Sequence, residues 1–328
     1  ISIILILLIY YFYTPALNIH ALEFWIFVVM DLVILWIATS FSQLVDREFD
    51  TKSLSRFGGI ILIIVVAVVL SDLFTSKVIH ASSYSKRINV ENVKFNNNTL
   101  HEVDFNKTPI IDRKSTVKLG DKVMGEIPEY VSQFEVSDDY TQISYKNSVY
   151  RVTPLEYASF FKYLTNSKNG IPAYILVNST NGKAEIIKLK DLGLGGMKYV
   201  PSAILNHNLN RKLQLSYPTS IFGSPSFEID EKGHPWYVCT TYTYFGVGNR
   251  KKVTGAVLFD PITGKSKKYD KNNIPKWVDR VYPEDLIMEE IDQNGSLKNG
   301  FLNSILGQKN VTVTSEGYNY LEKDGDIW

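Results

Sequence analysis

The chain has 328 residues, with 35 Lys and Arg against 34 Asp and Glu for a formal charge of +1, and a mean hydropathy near zero. This is more folded mass than a small peptide-like module needs, and the even charge balance removes the electrostatic case for nucleic acid as a main partner. The one cysteine, Cys239, excludes an intrachain disulfide and a thiolate metal site.

The near-zero average conceals a division, because residues 1–74 are dominated by isoleucine, leucine, valine and phenylalanine while the rest is polar and rich in tyrosine. Residues 1–75 therefore read as a membrane anchor with about three transmembrane helices. The first apolar stretch, residues 1–13, falls short of the ~20 residues that span a bilayer. Either residues 15–19 complete it or residues precede Ile1, and an opening on Ile rather than Met favours the second. Residues 22–41 and 57–74 have spanning length, and their presence after the first stretch argues against a cleaved signal peptide.

Lysine and arginine beside the spans set the orientation. Residues 18–21 contain none, whereas residues 42–56 contain Arg47, Lys52 and Arg56, so that loop is expected inside and residues 76–328 outside. Lys77, Lys86 and Arg87 oppose this, but a large domain translocates largely regardless of charge. The expected location is the cell membrane, multi-pass, with the large C-terminal part extracytoplasmic. Asp31 lies in the middle of the second stretch, where an ionised carboxylate costs at least ~2.5 kcal/mol. It should face Ser2, Tyr10, Ser71 or a second copy of the chain. As an intramembrane polar residue it serves either an ion relay or the packing of helices at an oligomer seam.

Residues 76–170 read as a stalk and a first exterior β-rich region, with a strand over 89–95 and a helix over 154–166. Beyond them the chain compares with itself. Ala173 to Asn178, Gly182 and Lys183 are answered by Ala256 to Asp260, Gly264 and Lys265, each an apolar run, an Asx residue and a Gly-Lys pair. The Asx side chain opens the turn and the glycine closes it, so each is expected to be a hairpin. Ser220, Ile221 and Gly223 are answered by Ser304, Ile305 and Gly307, and Phe227, Ile229 and Gly233 by Val311, Val313 and Gly317. Two tandem units follow, residues 171–252 and 253–328, each hairpin, helix, hairpin. The second stops early, so the natural protein is expected to run on. The fold class expected is α+β, with N-terminal transmembrane helices followed by tandem mixed antiparallel-sheet-plus-helix exterior domains.

The Asp260, Thr263, Gly264, Lys265 hairpin resembles the end of a PepSY unit, a small helix-plus-sheet module found outside bacterial membranes. Over a longer span, Ile274, Trp277, Asp279, Arg280, Tyr282 and Pro283, with Ser304, Gly307, Gln308, Gly317, Tyr318 and Tyr320, resemble uncharacterised multi-pass envelope proteins of Gram-positive bacteria. The first resemblance implies binding or peptidase inhibition outside the membrane; the second implies no activity.

No catalytic, cofactor-binding or metal-binding set is expected. His20, His80, His101, His207 and His234 form no metal-ligand pair at short spacing, and Cys239 lies in an apolar strand as a buried thiol. The glycines of residues 192–197 lack the Lys-Ser or Lys-Thr of a phosphate loop and read as a close backbone approach. Trp236, Tyr237, Tyr242, Tyr244 and Phe245 share one hairpin and are the candidate interface, either a platform for peptide or glycan or core packing between sheet and helix. The function expected is a non-catalytic, membrane-anchored scaffold or binding protein in contact with membrane lipid, assembling as a homo-oligomer or with an envelope protein. An envelope-acting enzyme using Asp230, Glu231 and His234 or Asp279 and Glu284, and an ion-coupled component using Asp31, are the alternatives.

Overall fold

A computed structural model describes residues 2–46, 50–94, 96, 108–315, 322–323 and 326–327. Its N-terminal helices are α1 (Ser2–Tyr13), α2 (Leu22–Asp46) and α3 (Thr51–Thr75). Leu22–Asp46 and Ser55–Thr75 are long and apolar enough to cross a membrane. Both are apolar around the helix, and Leu62 and Ile63 are more than half exposed, which leaves their cover to something outside the chain. Residues 15–19 do not extend α1. Pro15 disfavours a helical conformation at Thr14, which takes φ 42°, and the chain crosses to α2 through an irregular loop, residues 14–21. At the far end of α3 Ser76 makes a corner. Its N–H donates to the Leu73 carbonyl while its hydroxyl accepts from Val78 N, ending α3 and capping α4 (Lys77–Ser85).

The remainder is a stack of two antiparallel sheets. The first has β1 (Phe134–Val136) and β2 (Thr141–Tyr145) side by side along β3 (Ser148–Tyr157), then β4 (Ala173–Asn178) and β5 (Ala184–Lys188). The second has β6 (Ile221–Phe222) and β7 (Ser226–Ile229) along β8 (Pro235–Phe245), then β9 (Asn249–Phe259) and β10 (Ser266–Asp270). The strand order is the same in both. Helices α5 (Arg113–Gly125) and α6 (Pro128–Val131) precede the first sheet, α7 (Phe160–Asn166) links β3 to β4, and α8 (Leu209–Ser216) precedes the second sheet. Helix α9 (Glu284–Leu297) follows it.

Every residue of β4 is buried because both its faces are covered. Ile175 faces Gly120 of α5, while the Tyr174 ring meets Phe227 of the second sheet at 5.8 Å and its hydroxyl donates to the Gly233 carbonyl at 2.9 Å. Strand β8 is two-sided in the same way. Tyr237 and Cys239 enter the core shared with the first sheet, and Trp236 and Val238 pack against Trp277 and Val278. Burial pushes the Cys239 thiol pKa well up, leaving it a neutral core group.

The two Asx-Gly turns are built alike. Asn178 Oδ1 accepts from Thr180 and Asn181 N–H, and Asp260 Oδ1 from Ile262 and Thr263 N–H. Gly182 and Gly264 follow at φ 73° and 72°, a conformation that glycine takes at least cost. Elsewhere the expected elements shift. The expected helix over 154–166 is strand up to Tyr157 and helix only from Phe160, because Ser159 caps it there. Residues 89–94 form no strand, and residue 95 lies outside the described residues. Ser304 to Gly307, matched in sequence to a strand, sit in a π-helical turn (Asn303–Gly307), and residues 311–315 are irregular, with 316–317 outside the described residues. A boundary at 170/171 would separate β3 from β4, and one at 252/253 would cut β9, so the sheets partition the chain differently from units 171–252 and 253–328. Gly196, as expected, stands against the Asn169 carbonyl with no room for a Cβ.

Two buried carboxylates pin irregular segments to the sheets. Glu228 on β7 accepts from Asp279 N at 2.9 Å, Arg280 N at 3.2 Å and Ser226 Oγ at 3.1 Å. Glu156 on β3 accepts from Ser202 N at 3.1 Å and from the Ser202 hydroxyl. Burial outweighs these donors and pushes each carboxyl up to about 7. In the unfolded chain both titrate near 4.5, so their share of stability is full below that pH and is lost as pH rises through about 7. In detergent the melting temperature should fall between pH 5 and pH 8, and Glu228→Gln should flatten that dependence. A wild-type melting temperature level across this window would contradict the assignment.

Candidate functional site

The helix end of the domain is held by hydrogen bonds between segments about 200 residues apart. Leu17 N donates to the Pro218 carbonyl at 2.7 Å, and Asn18 Nδ2 to that of Thr219 at 3.0 Å. His20 Nδ1 donates to the Gly246 carbonyl at 2.7 Å, while Gly248 N donates to that of His20 at 3.0 Å. The β8–β9 tip thus lies between the start of α2 and the end of α3, where Asn249 Nδ2 is 2.8 Å from the Asp72 carbonyl and 2.9 Å from the Thr75 hydroxyl. Arg211 of α8 donates to the Tyr11 carbonyl at 2.8 Å and stacks on the Tyr11 ring at 4.9 Å.

A cleft opens just inside this collar. Gly223, Ser224 and Pro225 separate β6 from β7, and three residues there stand opposite only two on β8, since Phe222 pairs with Thr241 and Ser226 with Val238. Pro225 lacks the N–H that a ladder needs, so the chain bulges away from β8. The bulge lines two adjoining hollows of about 430 and 400 Å³. The larger is walled by Tyr242, Lys251, Arg280 and the first turn of α9; the smaller reaches Tyr13 and Thr14 at the end of α1. Arg280 Nη2 is 2.9 Å from Glu284 Oε1, and Lys251 Nζ lies 4.5 Å from the centre of the Tyr242 ring. Glu284 and Asp285 stand in the first turn of α9, where the helix dipole favours negative charge. Burial, with Asp285 nearby, pushes the Tyr242 phenol up to about 12, so it stays a neutral hydroxyl.

The candidate acid and base groups do not converge. Asp230 caps its own turn, accepting from Lys232 N, His234 N and Trp236 Nε1. His234 Nε2 stands 3.4 Å from Asp260 Oδ1. Burial alone would raise the Asp260 pKa, but His234 beside it and hydrogen bonds from Thr263 and the turn amides lower it. Glu231 borders a separate hollow of about 260 Å³ beside Trp277, and Asp279 Oδ2 accepts from Ser144 N at 2.8 Å. Of these groups Glu284 alone lines the cleft. Among the described residues no group of three His, Cys, Asp or Glu gathers to hold a metal.

Of the five aromatic residues of the β8 hairpin, Tyr237 and Tyr242 are buried, Trp236 and Tyr244 are half-buried, and Phe245 is exposed. Trp236 stacks near Trp277 at 6.0 Å, Tyr237 is core, and Tyr242 and Tyr244 pack with Ala16, Ala21 and Leu286. Phe245 meets His80 of α4 edge-on at 5.6 Å and carries the Arg250 guanidinium at 4.2 Å. Asp31 is half-buried; its Oδ1 is shielded and has no hydrogen-bond partner among the described residues, neither Ser2, Tyr10 nor Ser71. Asp285 and Ser224 carry no sequence motif, and Lys251 shows only as one of three basic residues after the Gly246–Gly248 turn. The readable sign of the cleft was Gly223-Ser224-Pro225 interrupting an apolar run.

If the collar sets the position of the domain, Asn249→Ala should lower amide-exchange protection at Gly248 and Arg250 by about tenfold, the worth of one or two hydrogen bonds, while core amides of β4 keep theirs. Uniform loss of protection would mean that the tip is integral to global stability instead. No family model, curated protein or solved structure matches this chain, so the resemblance to PepSY units rests on the turn residues alone.

Proposed function

We propose that this chain is a non-catalytic, membrane-anchored scaffold or binding protein of the cell envelope, with its two-sheet domain seated on the outer surface of the membrane. The observation that carries this is the collar, in which the end of α1, the start of α2 and the end of α3 all engage the domain. The domain therefore lies at the opposite end of α2 and α3 from Lys52 and Arg56, the basic end that the charge rule assigns to the cytoplasm. The shared strand order and the matched Asx-Gly turns support a duplicated origin for the two sheets.

Asp31 supports self-assembly, because a half-buried carboxylate in an apolar helix is stabilised when a second copy supplies a donor to its accessible edge. Two measurements test the reading. A membrane-impermeant thiol reagent should label Lys190→Cys in intact spheroplasts, and labelling only after lysis would invert the topology. Native mass in mild detergent should show an oligomer that Asp31→Leu shifts toward monomer; a monomeric wild type would end the self-assembly reading.

A further inference from the structure

The cleft has the character of a ligand site whose mouth lies at the helix end of the domain. Tyr242, which lines its wall, packs in one cluster with Ala16 and Ala21 of the loop joining α1 to α2 and with Phe24 of α2. The adjoining hollow runs out to Tyr13 and Thr14, beside the exposed Phe12 of α1. A ligand with an apolar tail can lay that tail along α1 while its head enters the cleft. The larger hollow, about 430 Å³, falls in the ~300–1,000 Å³ range of small-molecule sites.

Charge decides the head. Lys251 and Asp285 both line the cleft and form no ion pair among the described residues, while Arg280 and Glu284 hold each other at 2.9 Å on the same wall. The wall thus offers two cations and two anions, together with the Ser224 and Thr240 hydroxyls. A purely anionic head would meet the repulsion of Glu284 and Asp285, and a purely cationic one that of Lys251 and Arg280. A head carrying phosphate and ammonium a few bonds apart satisfies both signs.

We propose that the cleft binds the head group of a zwitterionic phospholipid of the phosphoethanolamine type, its phosphate on Lys251 and Arg280 and its ammonium on Asp285 and Glu284. This rests on the membrane reading above, through the position of α1 in the bilayer.

The test uses the full chain in a maltoside detergent, titrated with short-chain phosphatidylethanolamine, short-chain phosphatidylglycerol and water-soluble O-phosphoethanolamine, with affinity read by calorimetry. Phosphatidylethanolamine should bind tightest. Lys251→Ala should weaken both lipids by about tenfold or more, the scale of a lost charge-assisted contact, and Lys251→Arg should restore much of it. Asp285→Asn should weaken phosphatidylethanolamine selectively, and Lys212→Ala on α8 should change neither. Equal effects of Asp285→Asn on both lipids, or none from Lys251→Ala in a variant that melts like wild type, would overturn the assignment. O-phosphoethanolamine binding as tightly as the lipid would overturn the lipid source and point to a soluble ligand. Flotation of the protein with vesicles separates the two readings: a chain that does not float refutes the membrane anchor, whereas one that floats yet ignores phosphatidylethanolamine refutes only the cleft ligand.

Discussion

The amide of Asn249, shared between Asp72 and Thr75 at the end of α3, fixes the tip of the longest hairpin among the described residues. Strands β8 and β9 run from that tip into the core between the sheets, so the tip governs the height and the rotation of the domain over the helices. His20 closes the same tip from the other side by accepting from Gly248 and donating to Gly246. With both helix ends engaged, the domain has no free hinge at the tip, and the cleft beside Tyr242 keeps a fixed relation to the end of α1. A tether through the chain after α4 alone would leave that relation to chance.

The parts of the fold legible in the sequence are those whose cause is local. Apolar composition wrote α2 and α3 directly, and Asn178 and Asp260 announced their turns because each side chain bonds amides two and three residues ahead. Beyond the β4–β5 and β9–β10 hairpins, strand partnership was not legible. Strand β3 pairs with β4 across the whole of α7, and nothing local ties Arg151 to Val177, its partner in the ladder. The Ser304 to Gly307 stretch shows the same limit, since a short apolar motif forms a strand only where a neighbouring strand offers free backbone groups. Beside Ser220 to Gly223 that neighbour is β8.

The aromatic hairpin was visible as a concentration of rings but not as two faces. What the sequence could not supply was the cover of Trp236, Tyr242 and Tyr244, which comes from Trp277, the loop of residues 14–21 and α9. Glu228 was equally opaque. In sequence it is one acidic residue in an alternating strand, and only folding turns it into the acceptor for two amides of a distant irregular segment. Buried amides outside regular structure must find such acceptors, which is why a costly carboxylate sits there.

The loop of residues 14–21 has a history written into its contacts. It is made well before its partners at Pro218 and Gly246, which follow about 200 residues later, and His20 bonds Gly246 across 226 positions. During synthesis the loop and the β8–β9 hairpin cannot meet until both strands have been translated, and closing so long a loop is slow beside the local pairing of β8 with β9. The sheets therefore have time to assemble before they are seated. Ala16, Ala21 and the inner face of Tyr242 are then the last apolar surfaces to be covered, and until α9 brings Leu286 to them a finished second sheet keeps one side of that seam open to chaperones.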